Sequence, residues 1–419
     1  MKICILCIGS HGDIRPYVAL ANGLKANGHD VWIASHQKAQ SLCQKYNLDF
    51  KLVDGDLTEA IHSEETQEKL KSIFVLPQIT QLFRNVLKIQ LPMSLEAAAN
   101  ADLLIYSPVA FAGPHLAEYL KIPTICMHVL PEIRTKCHSS YLFPRQKSYT
   151  GLKHYLGHFV SEQFLWQPIR APINKWRKKQ LGMRKMHFLG FRNDKIRQEI
   201  PEIVAFSPSL IPRPIDWPSK IEMTNFCLLR EGENWTPPKD LENFLDNDQP
   251  TIYVGFGSLT EACEKSTVKK IIDALIKKNI RAVVHGKLRG LKELELPASI
   301  FPLDYAPHDW LFPRVKAVIH HGGIGTTAAG LYAGKPTWII PFVWDQFYWG
   351  QKIFDLGIGP KPIPVYNIDT APLMLNLDDL LSQSTYQQNA SKFRTQLQSE
   401  PDGVQMTINS INNILATRI

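Results

Sequence analysis

Residues 316–350 read KAVIHHGGIGTTAAGLYAGKPTWIIPFVWDQFYWG, and the fold is decided here. A short apolar run at 317–319 meets His320-His321-Gly322-Gly323; positions 326–333 then read as a helix closed by Gly334 and Pro336, and a second apolar run follows at 337–340. Strand, glycine turn, helix and strand in so short a span form a βαβ unit. The start of its helix offers free N–H groups and the positive end of the dipole, and glycines let an anion approach the backbone closely. His321 adds a donor at that spot, and Thr326 and Thr327 add hydroxyls in the first turn. These residue types suit a diphosphate gripped by neutral donors, without lysine or metal.

Two other readings fit the same residues. Gly323-Ile324-Gly325-Thr326-Thr327-Ala328 matches the dinucleotide turn G-x-G-x-x-A, with Asp345 17 residues beyond Ala328, near where a ribose-binding acid sits. A purely structural turn is the other. A dinucleotide fingerprint normally follows the first strand of its domain and has no His pair ahead of it. Asp345-Gln346 instead follows the second strand after a Pro-Phe-Val-Trp turn, and a carboxylate beside an amide holds neighbouring hydroxyls, as a sugar requires. A sugar nucleotide is therefore the expected ligand.

Working outward, the N-terminus begins a second unit of this kind. Apolar 2–8 predicts a strand, Gly9-Ser10-His11-Gly12-Asp13 a turn, and Pro16 a first-turn proline for a helix over 17–25. Strands are expected again at 31–34, 101–106 and 122–125, with a helix over 113–120. Such alternation means a parallel sheet covered on both faces, with ligands at the carboxyl ends of its strands. His11 and Asp13 then lie on a loop where chemistry is expected; the competing role for Asp13 is to cap the following helix. Ser207-Pro208-Ser209-Leu210-Ile211-Pro212-Arg213-Pro214 reads as an interdomain crossing. Beyond it, a strand at 251–254 ends in Gly255-Phe256-Gly257-Ser258, a second turn able to touch the same diphosphate. A helix over 267–278 and a strand over 281–285 follow, and Val404, Ile408, Ile411 and Leu415 form the apolar stripe of a final helix. The expected domains are 1–212, 213–400 and a helix in 401–419 packing back on the first.

At 419 residues the chain is too long for one ordinary core, and 44% hydrophobic residues suffice for two. No apolar run approaches the ~18 residues of a membrane span, and 3–8 is too short for a signal peptide. A soluble, cytoplasmic protein is expected. Its seven cysteines are odd in number and scattered, and Cys4 and Cys7 fall in a strand, where positions three apart face opposite ways; structural thiols are expected. Asp54-Gly55-Asp56 reads as a turn and not a metal-holding D-x-D. Residues 145–197 hold thirteen Lys and Arg against Glu162 and Asp194, while the whole chain carries only +8. Aromatics interleave with this charge (Tyr155, Phe159, Phe164, Trp166, Trp176, Phe188, Phe191). The combination suits either an anionic membrane surface or a pair of solvated helices. No nucleic-acid motif accompanies it.

The motifs together resemble the UDP-glucose:sterol glucosyltransferases, inverting enzymes of the glycosyltransferase-B fold in the UDP-glycosyltransferase superfamily. Gly9-Ser10-His11-Gly12-Asp13-Ile14-Arg15-Pro16, Gly113-Pro114-His115-Leu116-Ala117-Glu118, Asp216-Trp217 and the stretch through Asp345-Gln346-Phe347 all look like that family's. Pro307-His308-Asp309-Trp310-Leu311-Phe312 and Ser207-Pro208-Ser209-Leu210 are the pieces most specific to the sterol branch. The resemblance implies two facing Rossmann-like domains, the acceptor held by the first and the donor mainly by the second. It implies that the backbone of Ala306 and Pro307 reads uracil beside His308, and that Ser258, His321 and the amides from Gly322 through Gly323, Gly325, Thr326 and Thr327 hold the diphosphate. Asp345 and Gln346 are to hold glucose, and Asp13, with Gly12 beside it, is to be the base. No cofactor or metal is implied beyond the UDP-glucose donor. His11 stands where the family usually has Arg, so a histidine base oriented by Asp13 is the alternative. Fungal members often carry membrane-binding modules ahead of this region, and here the basic segment is expected to meet the lipid itself. The competing activities are transfer to another apolar acceptor (a polyketide or hydroxy fatty acid) from a UDP- or dTDP-sugar, a dinucleotide oxidoreductase, and a lectin-like module without catalysis.

Overall fold

A computed structural model of the chain describes residues 1–55, 75–142, 151–190, 199–246 and 249–417, with the backbone alone at 75–79, 258 and 261. The chain divides into two units, Met1–Leu229 with Pro401–Ile419, and Arg230–Glu400. The strands of the first are β1 (Lys2–Leu6), β2 (Asp30–Ser35), β3 (Asp49–Leu52), β4 (Leu103–Tyr106), β5 (Thr124–His128), β6 (Glu202–Val204) and β7 (Ile221–Met223). They form one sheet in the order β3-β2-β1-β4-β5-β6-β7, every pair parallel. Its helices are α1 (His11–Ala26), α2 (Gln40–Lys45), α3 (Val75–Ala98), α4 (Gly113–Leu120) and α5 (Leu152–Lys179). Strand alternation sends Ile3, Ile5 and Cys7 into one core and Cys4, Leu6 and Ile8 into the other, so the two cysteines face opposite sides of the sheet. Both thiols are buried, and burial pushes the Cys4 thiol up to about 12, as suits structural cysteines.

In the second unit β8 (Thr251–Gly255), β9 (Arg281–His285), β10 (Ile300–Leu303), β11 (Val318–His320) and β12 (Thr337–Ile339) form a parallel sheet in the order β10-β9-β8-β11-β12. Helices α6 (Lys239–Leu245), α7 (Lys265–Lys277), α8 (His308–Leu311), α9 (Ile324–Ala333), α10 (Gln346–Asp355), α11 (Thr370–Ser382) and α12 (Ser384–Ser399) belong with it. Two parallel halves of this sort follow from the βαβ pattern in the sequence.

Three details depart from the sequence reading. The stretch at 207–214 is not the crossing: Ser207 Oγ accepts from the Ser209 and Leu210 amides, Leu210 and Ile211 are buried, and the chain returns to the same sheet as β7. The units instead part between Leu229 and Arg230. Helix α1 begins at His11, six residues ahead of the expected start, so Pro16 lies inside it. The basic segment is not a uniform surface either. Within α5, Trp166, Ile169, Ile173, Trp176 and Arg177 are buried, and Arg177 donates to Glu118 (2.8 Å) and bonds His115 Nδ1 (2.9 Å). The Gly113-to-Glu118 motif thus clamps a buried arginine. Residues 143–150 and 191–198 of that segment, including Phe191, lie outside the described residues, as does Asp56; Asp54 accepts from the Gly55 amide at a left-handed glycine, φ +94°.

The final helix, α13 (Gly403–Ala416), returns to the first unit and packs on α1. Ile408, Ile411 and Ile414 enter the core, and Val404 reaches the place a side chain at Gly23 would fill. Gly403 starts the helix because its Cα faces backbone: an added Cβ would lie 2.2 Å from the Phe226 carbonyl oxygen. Gly403→Ala is therefore expected to cost about 1–3 kcal/mol through overpacking. A lower denaturation midpoint by tryptophan fluorescence would agree, and an unchanged midpoint would contradict this seating of α13.

Candidate active site

In the second unit the candidate residues come from successive carboxyl ends of parallel strands. After β11, Gly322 turns with φ +97°, and a Cβ there would lie 2.7 Å from Ile339 Cγ2 and 3.1 Å from the Gln346 carbonyl oxygen. Only glycine makes that approach. Gly323 is the N-cap of α9, with no side-chain cap, so its first amides stay open to a ligand. The helix starts two residues earlier than the sequence suggests, which places Gly325 and Thr326 in its first turn. The His321 ring is wedged between two glycines. Its Cε1 is 2.7 Å from where a Gly257 Cβ would stand, and its Nε2 is 2.6 Å from where a Gly323 Cβ would stand. The turns after β8 and β11 therefore meet on this imidazole.

His321 is 7% exposed, and burial pushes its pKa down to about 4, so the ring is neutral at pH 7. Its Nδ1 is buried with no partner among the described residues. A buried lone pair without a partner costs less than a buried N–H without one, which favours the tautomer carrying the proton on Nε2, at the helix start. The neighbouring His320 is fully buried and accepts from the Gly322 amide through Nδ1 (3.0 Å), holding the turn. Thr326 is partly exposed. Thr327 departs from expectation: it is fully buried and donates its hydroxyl to the Gly323 carbonyl (3.0 Å), so it braces the turn and offers no donor to a ligand. The side chain of Ser258 lies outside the described residues; its backbone belongs to the turn that follows Gly257.

Asp345 and Gln346 open α10. Gln346 is buried, and its Oε1 accepts from the amides of Phe342 (2.8 Å) and Val343 (3.1 Å). Two backbone donors fix the amide orientation, leaving the Nε2 hydrogens for a ligand. Gln346 thus donates only. Asp345 accepts from the Trp349 indole through Oδ2 (2.9 Å), which fixes its carboxylate at the head of α10. Trp344, which the sequence reading passed over, has φ +55° and is 43% exposed. A bulky residue in the left-handed region is strained, and such strain gathers at ligand sites.

The Pro307-to-Phe312 motif is accounted for residue by residue. Pro307 is the N-cap of α8, His308 stacks on Phe312 (4.4 Å, 14°), and Asp309 accepts from the Glu231 and Gly232 amides (2.9 and 2.8 Å). Trp310 packs edge-on against Trp235, and Leu311 and Phe312 enter the core. Ala306 is partly exposed just beyond β10.

In the first unit Asp13 occupies the third position of α1, behind the N-cap Ser10. Its Oδ2 accepts from the Ser10 amide and hydroxyl, both at 2.8 Å. The spacing Ser10-x-x-Asp13 is that of a capping box and was visible in the sequence. Gly9, at φ +141°, wraps the carboxyl so closely that a Cβ would lie 2.9 Å from Oδ2. Burial pushes the Asp13 carboxyl up, the two Ser10 donors pull it back, and the charge of Glu132 raises it again. Oδ1 receives no donor from the described residues and remains to take a proton. Gly12 precedes it in the first turn and lacks its helical acceptor bond because Pro16 has no N–H. His11 is exposed. Nearby a cavity of about 110 Å³ is walled by Val109, Phe111, Leu165, Trp166 and Ile169, with His128 and Glu132 also lining it. Its lining comes from 108–111, 128–141 and 161–190, all in the unit that the resemblance assigns to the acceptor.

The family description of a glycosyltransferase family 28 N-terminal domain matches residues 3–139, and that of an erythromycin biosynthesis protein CIII-like C-terminal domain matches 269–411. The chain is 35% identical over 372 residues to the sterol 3-beta-glucosyltransferases of Aspergillus clavatus and Sclerotinia sclerotiorum (over 371 for the second). These matches take in 86% of this chain and 26% of each relative, so the chain spans about a quarter of their length. Among solved structures it is similar to the glycotransferase of kitacinnamycin (TM-score 0.73, 16% identity) and to glycosyltransferase VinC in complex with DTDP (TM-score 0.70, 18% identity). Each alignment covers 99% of this chain, with 99% and 100% of the two solved chains. With these relatives, the shared motifs and two parallel-sheet units, the chain has the glycosyltransferase-B fold and is a homologue of the sterol 3-beta-glucosyltransferases over 86% of its length.

Proposed function

We propose that the chain moves glucose from UDP-glucose to the hydroxyl of a sterol or similar lipid alcohol, giving a β-glucoside. The observation that carries the reading is the buried neutral His321 seated between two glycine turns at an uncapped helix start. This is a place built for an anion that needs no counter-cation. The diphosphate lies against His321 and the amides from Gly323 to Thr326, with Ser258 at its edge; uracil meets the backbone of Ala306 and Pro307 beside His308. Asp345 accepts from one glucose hydroxyl and Gln346 donates to another.

The acceptor oxygen attacks C1 of the α-linked sugar from the face opposite UDP, so one C–O bond forms as the other breaks and the anomer inverts. Asp13 takes the hydroxyl proton on Oδ1 during attack. A carboxylate cannot ionise an alcohol beforehand, but assistance in the transition state contributes roughly 10²–10⁴-fold. The charge developing on UDP falls on donors already in place. No step calls for a metal. A second reading, transfer from a dTDP-sugar to another apolar acceptor, draws on the thymidine diphosphate complexes of VinC and of the spinosyn rhamnosyltransferase SpnG.

Among the described residues no helix is long and apolar enough to cross a membrane. We propose a peripheral contact instead. Leu152, Leu156, Val160 and Phe164 recur every fourth residue along α5, each 44–64% exposed, and Lys153 stands among them. An apolar stripe with basic neighbours suits an anionic bilayer, at about 1 kcal/mol per near-surface cation.

Asp13→Asn should lower kcat by about 10²-fold or more with little change in UDP affinity, whereas His11→Ala should retain most turnover. Loss in the His11 variant alone would move the base to histidine. Because burial holds the Asp13 carboxyl up, the acid limb of kcat/KM should lie above the ordinary carboxylate value near ~4. Flotation with phosphatidylserine vesicles should show binding at low salt that high salt removes and Phe164→Glu weakens. No binding at low salt would contradict the membrane contact.

A further inference from the structure

The cavity in the first unit has a charged end that the reaction above leaves unused. His128, at the end of β5 and 1% exposed, bonds Glu202 Oε2 through Nε2 (2.7 Å) and Glu132 Oε2 through Nδ1 (3.1 Å). Only an imidazolium donates from both nitrogens at once. Burial by itself would push this ring down, but Cys126 and the hydrogen bonds to the two carboxylates carry it well above its ordinary value. The Glu132 carboxylate is thereby fixed in the wall.

Glu132 presents that carboxylate to the cavity. Glu202 is 4% exposed and Glu132 14%, and His128 and Glu132 both line the cavity. The other acidic residue there, Glu162, is neutralised by the Arg134 guanidinium, which donates to both its oxygens. Glu132 Oε2 is taken by His128, and no donor among the described residues reaches Oε1. The loop is held in place: Asp216 accepts from Thr135 Oγ1 (2.6 Å) and the Lys136 amide (2.7 Å), and the Trp217 indole donates to the Arg134 carbonyl. Most of the remaining wall is apolar.

An acceptor filling this cavity strips water from Glu132. A carboxylate desolvated against hydrocarbon without a donor is costly, and the loop cannot swing it away. The hydroxyl being glycosylated has one proton, and Asp13 takes it. We propose that Glu132, locked by His128 and Glu202, selects acceptors carrying a second hydrogen-bond donor, a hydroxyl or amine apart from the one glycosylated. The inference rests on the transferase reading and narrows its acceptor class. A plain sterol alcohol is then a poor fit and a hydroxylated sterol a good one.

The test pairs a sterol having one hydroxyl with the same ring system bearing a second, on wild type and on Glu132→Leu. Two readouts are taken: kcat/KM with UDP-glucose, and sterol binding without donor, followed by quenching of tryptophan fluorescence. Wild type should favour the diol by about tenfold or more in both, and Glu132→Leu should erase or reverse the ratio. Glu132→Gln, which keeps the shape, serves if the leucine variant fails to fold, and should likewise shrink the preference. Equal ratios in wild type and variant overturn the proposal. So does a Glu132→Gln enzyme that binds both sterols with the wild-type ratio yet turns over neither, since Glu132 would then be the base. If no sterol is transferred but the binding ratio moves with Glu132, the transferase reading fails and the selectivity stands.

Discussion

An uncapped helix start with a buried neutral histidine beside it needs an anion, and much of the second unit serves that need. The amides that open α9 have no side-chain cap, and His321 has a buried nitrogen without a partner among the described residues. Gly257, Gly322 and Gly323 keep the space clear because a Cβ at any of them would meet His321 or Ile339 at less than 3 Å. Parallel strands make this arrangement available, since all their carboxyl ends point one way and deliver several loops to one rim. His320, Thr327 and the Gln346 side-chain oxygen are spent on bracing those loops. The donors left over are neutral. In the proposed reaction they stabilise a diphosphate most when its charge grows, at the departure of UDP.

In the proposed reaction the first unit solves a different problem, keeping charge beside an apolar acceptor. Asp13 is made part of its own helix, with Ser10 holding one oxygen and Gly9 closing over it. Three further ionic groups are buried or partly buried in the same unit: Arg177 with Glu118, Arg134 with Glu162, and His128 between Glu132 and Glu202. The first two are balanced. The third leaves one Glu132 oxygen facing the cavity with no donor among the described residues, which carries information about the ligand.

The βαβ alternation, both sheets and the glycine turn were legible in the sequence, because apolar runs and glycines mark parallel strands and their turns locally. The residues of the turn were legible too, but their division of labour was not. Thr327 and Thr326 are adjacent and chemically alike, yet one turns inward to Gly323 and the other outward, a difference of helical phase that depends on the helix starting at Ile324. Ser10-x-x-Asp13 was a readable cap overlooked because Pro16 suggested a later start. The Glu132–His128–Glu202 cluster could not be read locally, since its members lie 74 residues apart and meet only through the β5–β6 pairing. Ser207-Pro208-Ser209 looked like a linker for its prolines, and the buried Ser207 hydroxyl turned it into a packed corner.

The central claim is that this fold couples a neutral diphosphate grip to Asp13 for sugar transfer onto a lipid alcohol. It is tested most directly by incubating the protein with UDP-glucose and mono- and dihydroxy sterols in detergent micelles, with excess chelator throughout, and identifying the products. The account predicts sterol-dependent release of UDP with a β-glucoside as product at undiminished rate in chelator. An α-glucoside, an absolute requirement for divalent metal, or no transfer to any sterol would contradict it.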